Sequence, residues 1–145
     1  SFTRLTPGFW APTFASWGFD NRTCALRVVG DSDESRRVEY RVTSADSNPY
    51  LVFAAALASG LNGIAKKIEP TTAIKGNAYA THAEPGLLFA RSLGEAAHQL
   101  NSAAMDEEWF GATVVDHQSE TSEGEEEKNH AQVSEWQVGN YFEMI

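Results

Sequence analysis

The alternating run from Arg37 to Val42 carries the side chains with the clearest capacity for chemistry in this sequence. If the run is a β-strand, Arg37, Glu39 and Arg41 share one face, because successive side chains point to opposite faces. Arginine donates paired hydrogen bonds to carboxylates and phosphates and stays charged, and a carboxylate can bind a metal ion. The same pattern is typical of a solvent-exposed ladder of ion pairs. Spacing alone leaves an anion-binding hairpin and an ion-pair ladder both open.

Charge is distributed unevenly along the chain. The formal net charge is −9, and residues 1–76 hold nine Lys and Arg against seven Asp and Glu, whereas residues 77–145 hold two against thirteen. The acidic second half argues against a nucleic-acid partner, while the arginine-rich first half leaves an anionic small molecule possible. The acidic run 120–127 is interpreted as a solvated helix face.

Common catalytic and metal-binding signatures are absent from the sequence. There is no phosphate-binding loop, no Cys-x-x-Cys pair and no Gly-x-Ser-x-Gly turn. The four histidines, at 82, 98, 117 and 130, are scattered and are interpreted as structural. A single cysteine, Cys24, excludes an internal disulfide, and no apolar run is long enough to span a bilayer. We therefore expect an intracellular protein, in the cytoplasm or an organelle interior.

Residues 1–47 have short runs of strand character separated by turn formers. The runs "TCALRVV" and "RRVEYRV" flank the polar linker "GDSDES", which predicts an antiparallel hairpin. A hairpin alone is marginal, so further strands are expected beside it.

Helices are predicted in the rest of the chain. Over residues 48–68, Asn48 is suited to the N-cap, Pro49 to the first helical position, and apolar residues recur at threes and fours. Residues 69–91 are interpreted as an extended connection. Residues 92–145 are predicted to be helical, with a capping box at Ser92 and Glu95 and a break near Gly124. The amphipathic end should dock through Val133, Trp136, Tyr141, Phe142 and Ile145.

Several segments resemble consecutive motifs of the glutamine synthetase family: "RLTPGFWAP", "WGFDNRTCALRV", "RRVEYR" and "ADSNPYLVFAAALASGLNGI", with "VSEWQVGNYFEMI" similar to the family's carboxyl-terminal end. The resemblance is strongest to the branch that joins glutamate to amines or polyamines. It implies an α+β fold in which residues 1–145 form the C-terminal part of the catalytic domain. A few antiparallel barrel strands would be packed by the helix at 48–68 and the closing helices.

The resemblance also implies a reaction and a set of site residues. Family members use ATP to activate the γ-carboxylate of glutamate as γ-glutamyl phosphate, which ammonia or an amine then attacks. Glu39 would be a ligand of Mg²⁺ or Mn²⁺. The implied catalytic residues are Arg41 and Arg22, the substrate-binding residues are Arg4, Arg22 and Arg41, and the nucleotide-binding residues are Arg27 and Arg37.

One position departs from the family pattern in the flap segment, defined here as residues 4–12. Family members usually have Gly-Tyr-Glu-Ala-Pro there, and this sequence has Gly8-Phe9-Trp10-Ala11-Pro12. An indole cannot bind ammonium as a carboxylate does. Trp10 therefore favours a larger, apolar amine as substrate, or a site that has lost its activity.

The resemblance covers only the last part of a complete family member. One glutamate cannot satisfy divalent cations that seek about six oxygens, so the chain alone is expected to be inactive. The start at Ser1 suggests a fragment, a processed product or one piece of a split protein. The expected partner is the missing N-terminal half, on another chain or a precursor, within an oligomer. The alternative is a non-catalytic structural subunit of a larger multi-protein complex, with no ATP or metal bound.

Overall fold

The computed structural model describes residues 4–103 and 108–141, which fall into two compact units, Ser1–Phe89 and Ala90–Ile145. Unit 1 contains strands β1 (Trp17–Phe19), β2 (Leu26–Val29) and β3 (Arg37–Tyr40), followed by helix α1 (Pro49–Ala65). Short 3-10 turns lie at Ala78–Ala80 and Pro85–Leu87 in the connection that was expected to be extended. Unit 2 contains α2 (Leu93–Ser102), α3 (Ala112–His130) and α4 (Glu135–Tyr141).

The three strands form one sheet in the order β1-β2-β3. The predicted hairpin is confirmed: β2 and β3 are antiparallel, with Arg27 opposite Glu39 and Val28 opposite Val38. The expectation of antiparallel strands does not hold for β1, which pairs with β2 in parallel. The chain turns back between the two strands, where Asp20 adopts a φ of 44° and the Cys24 amide donates to the Asn21 carbonyl at 3.4 Å. It thereby enters β2 beside the start of β1.

Residues 71–78 run alongside β1 and close the small core of unit 1. The Ile74 amide donates to the Trp17 carbonyl at 2.9 Å. A Cβ atom added to Gly18 would lie only 2.7 Å from the Ile74 carbonyl oxygen. Glycine at position 18 is therefore required for this close approach. The core itself consists of Phe14, Cys24 and Ala78, with Ile74, Ala83 and Leu87 packed against it.

Helix α1 confirms the prediction for its region and ends slightly earlier than expected. The Asn48 side chain accepts a hydrogen bond from the Tyr50 amide at 3.0 Å, and Pro49 occupies the first turn. At the other end Lys67 has a φ of 51°, and the Ile68 amide donates to the Gly63 carbonyl at 2.9 Å. This is the hydrogen-bond pattern of a Schellman motif, which stops the helix.

The apolar side chains of α1 are exposed instead of being packed on the strands as expected. The exposed fraction is 83% for Tyr50, 68% for Phe53 and 76% for Ile64. A helix with this composition needs a partner surface, because burial of the apolar face supplies most helix stability in proteins.

Unit 2 is built on the contact between α2 and α3. Ala97 and Val115 are buried, and the Ser119 hydroxyl donates to Asn101 Oδ1 at 2.7 Å. Ser92 caps α2 as predicted, accepting from the Glu95 amide at 3.1 Å. The Glu95 carboxylate accepts from the Arg91 amide at 2.8 Å, one residue before the position expected of a capping box.

The predicted break near Gly124 is wrong, since α3 continues through it to His130. A single glycine weakens a helix interior by less than about 1 kcal/mol and does not interrupt its hydrogen bonds. The hydroxyls of Thr121 and Ser122 also donate to carbonyls of the preceding turn. The chain breaks instead before α4, where Ser134 and Gln137 exchange hydrogen bonds.

The acidic run is largely exposed, as expected. Phe142 and Ile145, two residues of the predicted docking end, lie outside the described residues. Within the described ranges, no helix is both long enough and apolar enough to cross a membrane.

Candidate active site

The charged face of the hairpin is organised around the Glu39 carboxylate. Its Oε2 lies 3.1 Å from Arg27 Nη1, on the neighbouring strand, and 3.2 Å from Arg41 Nη1. The arginine side chains are only 18% and 16% exposed, whereas Glu39 is 43% exposed. The two guanidinium groups are therefore fixed by packing while the carboxylate between them faces the solvent.

Asp20 extends this array on the side of β1. Its Oδ1 accepts from Arg27 Nε at 2.9 Å and also from Arg27 Nη2. The hydrogen bonds to Arg27 lower the pKa values of Asp20 and Glu39, and contact with both carboxylates raises the pKa of Arg27. All three groups are charged at neutral pH, and with Arg41 the array holds two positive and two negative charges, so it offers both kinds of charge to a ligand without first exchanging a proton.

Two arginines connect the flap segment to the end of β3. Arg41 Nη2 donates to the Trp10 carbonyl at 2.7 Å. Arg4, for which a role in binding glutamate was inferred, donates through Nη2 to the carbonyls of Arg41, Val42 and Thr43 at 2.9, 2.8 and 2.7 Å. One nitrogen of its guanidinium group, Nη2, is thus directed to the backbone, whereas Nε has no hydrogen-bond partner among the described residues.

A cleft of about 860 Å³ opens beside the array. It is lined by Arg22 and Arg27, for both of which a role in the site was inferred from the sequence, and by the aromatic residues Trp10 and Phe19. The remaining lining residues are Asp20, Asn21, Thr23, Ala73, Ile74, Lys75, Gly76 and Asn77. Cations and aromatic rings around one cleft suit an anionic ligand that also has a flat or apolar part.

Arg37 lies apart from this cluster. It is exposed, and its Nη1 donates to the Ser35 carbonyl at 3.2 Å. The structure therefore groups Arg22, Arg27, Glu39 and Arg41 but leaves Arg37 at the turn of the hairpin.

Sequence reasoning missed Asp20 and Lys75. Asp20 directly follows β1 inside the quoted motif "WGFDNR", and a carboxylate at a strand end was a signal that could have been used. Lys75 reaches the cleft because Asn21 Nδ2 donates to the carbonyls of Ile74 and Gly76 at 3.2 and 2.8 Å. That contact joins residues more than fifty positions apart and leaves no local pattern in the sequence.

The residues that the structure describes do not form a divalent-cation site by themselves. In the part of the chain that the structure describes, no group of three or more His, Cys, Asp or Glu side chains could hold a metal ion. Glu39 can supply one carboxylate, and its Oε2 already accepts from two arginines. Mg²⁺ prefers about six oxygen ligands, so besides Glu39 it would need water, substrate phosphates or carboxylates that are not among the described residues.

The profile of the glutamine synthetase catalytic domain matches residues 1–141. The chain belongs to the glutamine synthetase family. The resemblance inferred from the order of the motifs is confirmed, and the mixed α+β fold is shared with solved structures of GmaS. The ligand-free GmaS structure superposes with a TM-score of 0.79 at 25% identity, covering 98% of this chain and 32% of GmaS. The GmaS–ADP complex gives a TM-score of 0.78 at 26% identity, covering 94% and 31%.

Curated family members include both glutamine synthetases and glutamate–amine ligases. Type-1 glutamine synthetase 2 of Dictyostelium discoideum is 40% identical over 148 residues, covering all of this chain and 28% of that protein. Glutamate–isopropylamine ligase of a Pseudomonas species is 38% identical, and gamma-glutamylethanolamide synthetase of Streptomyces coelicolor is 39% identical. The matches cover all of this chain but 32% and 30% of those two proteins. The chain thus spans about a third of the length of these relatives.

Proposed function

We propose that this chain is the carboxyl-terminal part of an ATP-dependent glutamate–amine ligase that works only together with the rest of the family's catalytic domain. In the proposed reaction, a γ-carboxylate oxygen of glutamate attacks the γ-phosphorus of ATP, giving γ-glutamyl phosphate and ADP. The amine nitrogen then attacks the γ-carbonyl carbon, and inorganic phosphate and a proton are released.

The observation that carries this proposal is the pair of packed guanidinium groups on either side of Glu39, at the edge of a cleft with further cations. Phosphoryl transfer asks a protein mainly for positioning and charge neutralisation. Arg27 and Arg41 are held in place by Asp20, Glu39 and the Trp10 carbonyl, so their donors need little reorganisation. Arg22 and Lys75 add two positive charges along the cleft.

Trp10 supports an amine larger than ammonia. Its side chain is 64% exposed and lines the same cleft as Arg22 and Arg27, and it offers an apolar surface to an alkyl group. Two of the relatives are named for isopropylamine and for an ethanolamide product. We infer an amine with an apolar or short alkyl part as the second substrate.

The requirement for the rest of the domain rests on two uncovered apolar surfaces of unit 1. One is the exposed face of α1. The other is a groove of about 610 Å³ on the sheet face opposite the charged array, lined by Leu26, Val28, Val38 and Tyr40 among others. Val38 is 60% exposed and Tyr40 45%. Because the relatives are about three times as long, we assign both surfaces to contacts with the missing part of the catalytic domain.

The proposal can be tested with a chimeric enzyme. Residues 1–145 would replace the matching 145-residue part of the Pseudomonas glutamate–isopropylamine ligase, to which they align without losing any of this chain. We expect the chimera to form a γ-glutamyl amide and release one phosphate per amide. Arg41→Ala and Glu39→Gln should each lower kcat by about 100-fold or more, the usual cost of removing one group that stabilises developing charge.

Arg36→Ala is the matched control, because Arg36 lies next to Arg37 and its exposed side chain pairs with the exposed Asp33 at 3.5 Å. Native mass spectrometry would establish that each chimera assembles like the parent ligase. A chimera that assembles and binds ATP but forms no amide would overturn the proposal.

A second candidate is a structural subunit without catalytic activity. It is favoured by the lack, in residues 4–103 and 108–141, of a carboxylate or histidine cluster able to hold a metal ion. It predicts an assembled chimera whose melting temperature does not change with ATP, Mg²⁺ or glutamate.

A further inference from the structure

The flap segment, residues 4–12, is fastened to the end of β3 by two arginines that reach in opposite directions. Arg4, in the flap segment, donates to three consecutive carbonyls after β3. Arg41, directly after β3, donates back to the carbonyl of Trp10 at 2.7 Å. The two side chains and the backbone between them close a ring of contacts.

The Arg4 contact uses all the donors of one nitrogen. An Nη2 group carries two hydrogens, and here they are shared among three carbonyl oxygens at 2.7 to 2.9 Å. These carbonyls belong to residues 41–43, so the contact fixes the backbone that carries Arg41. Since Arg41 Nη1 also lies 3.2 Å from Glu39, the same backbone sets the position of the charged array.

The flap segment has a second anchor and an unusual backbone between its attachments. The Tyr79 hydroxyl donates to the Ala11 carbonyl at 2.9 Å, and Ala11 is fully buried. Gly8 and Trp10 have φ values of 92° and 53°. Glycine adopts this conformation readily, but tryptophan does so only where its surroundings hold it. The bond from Arg41 to the Trp10 carbonyl is one contact that holds this backbone, and Trp10 lines the cleft.

We propose that Arg4 and Arg41 form a latch in which Arg4 is a positioning residue. Arg4 holds residues 41–43, Arg41 holds the carbonyl of Trp10, and together they keep the flap segment over the cleft. This gives Arg4 Nη2 a role at the backbone, while Arg4 Nε has no hydrogen-bond partner among the described residues. The latch is defined by contacts within this chain and stands independently of the ligase reaction.

Hydrogen–deuterium exchange of the assembled chimeric ligase that carries residues 1–145 tests the latch. Exchange is measured by mass spectrometry on peptides covering residues 5–16 and 39–48, because the Ala15 and Arg41 amides donate to the Leu87 and Ala25 carbonyls at 2.7 and 2.9 Å. We expect Arg4→Ala and Arg41→Ala each to speed exchange in both peptides by about tenfold or more, because either change opens the same ring of contacts. The exchange rate of Arg4→Lys should lie between those of Arg4→Ala and the unaltered chain, since an ammonium group can still donate to the same carbonyls.

The double variant distinguishes a latch from two independent contacts. If the arginines act as one unit, the amide exchange rate in the double variant Arg4→Ala/Arg41→Ala is no more than about twofold higher than in the faster single variant. The proposal is overturned if the double variant increases the exchange rate by a factor close to the product of the two single factors. It is also overturned if Arg4→Ala leaves the exchange rate unchanged. Arg36→Ala serves as the control and should match the unaltered chain.

Two internal checks keep the result interpretable. Peptides from β2 and β3 report whether unit 1 is folded, and peptides from α2 report on unit 2. If Arg4→Ala unfolds unit 1, the cycle is repeated with Arg4→Gln and Arg41→Gln, whose amides keep a donor at a shorter reach. Unchanged exchange in both of those variants would also refute the latch.

Discussion

Replacing Glu39 by glutamine should destabilise unit 1 in a way that depends on pH. The change removes the negative charge between Arg27 and Arg41 but keeps the shape of the side chain and one acceptor oxygen. Arg27 retains Asp20 as a partner, whereas Arg41 loses its carboxylate contact. The substitution therefore removes two ion pairs, those that the Glu39 carboxylate makes with Arg27 and with Arg41.

The magnitude follows from the exposure of the three groups. An exposed ion pair contributes about 0.2–1 kcal/mol, and breaking a fully buried one costs about 3–5 kcal/mol. Glu39 is 43% exposed while both arginines are mostly covered, so each pair lies near the upper end of the exposed range. We expect Glu39→Gln to lower the free energy of unfolding by about 1–2 kcal/mol at pH 7.

The sign of the pH dependence follows from the lowered pKa of Glu39 in the folded chain, caused first by the hydrogen bond from Arg27. A carboxylate with a lowered folded-state pKa stabilises the fold above its unfolded pKa, and this contribution disappears as the pH falls through the folded pKa. The difference in the free energy of unfolding between the unaltered chain and Glu39→Gln should be complete at pH 7. It should begin to shrink near pH 4.5, the ordinary pKa of a glutamate, and vanish in stronger acid. Asp20 also titrates in acid, but it does so in both proteins.

Urea titrations followed by the amide resonances of β2 and β3 would measure unit 1 separately from unit 2. Glu84→Gln is the control, because Glu84 is exposed and its side chain makes no capping hydrogen bond. It should change the free energy by no more than about 0.5 kcal/mol. A difference for Glu39→Gln that persists unchanged at pH 3 would show that the effect is not electrostatic, contrary to our reasoning.

Three further substitutions test local features of the fold. Gly30→Ala should destabilise the hairpin by about 2 kcal/mol or more, because φ is 105° and a Cβ would lie 2.3 Å from the Ser35 carbonyl; unchanged urea stability would contradict this. Gly124→Ala should stabilise α3 by about 0.5–1 kcal/mol, since a Cβ there meets nothing within 4 Å, and slower amide exchange across α3 is the test. Asn48→Ala should lower the free energy of unfolding by about 1 kcal/mol, because the Tyr50 amide loses its cap. If amide exchange at the start of α1 is not faster in this variant, Asn48 does not have that role.

Local features of this fold could be predicted because their causes are local. The hairpin follows from two alternating runs and a polar turn, and the start of α1 follows from Asn48 and Pro49. Gly124 misled the prediction because helix propensity is a weak preference that neighbouring contacts override. The parallel pairing of β1 depends on the backbone of residues 20–25, where Asp20 takes a left-handed conformation that its residue type does not dictate.

The site was only partly predictable for a similar reason. Arg27, Glu39 and Arg41 could be grouped because strand pairing places them on one face. Lys75 reaches the cleft through contacts with Asn21, and Arg4 reaches residues 41–43 across 37 to 39 positions of the chain. The family resemblance supplied a role for Arg4 but could not indicate which partners its guanidinium group meets in this chain.

The sheet carries the candidate site on one face and an apolar groove on the other. Arg27, Glu39 and Arg41 occupy one face, while Leu26, Val38 and their neighbours line the groove on the other. Side chains alternate along a strand, so a one-residue slip between β2 and β3 would move the apolar residues out of the groove. Burial of the groove therefore fixes the pairing of the strands, and that pairing determines which charged side chains lie together on the other face. A partner surface that fills the groove would therefore also stabilise the spacing of the two guanidinium groups around Glu39. If the proposed function is correct, assembly with the rest of the family's catalytic domain would add metal ligands and would also make the spacing of Arg27 and Arg41 rigid.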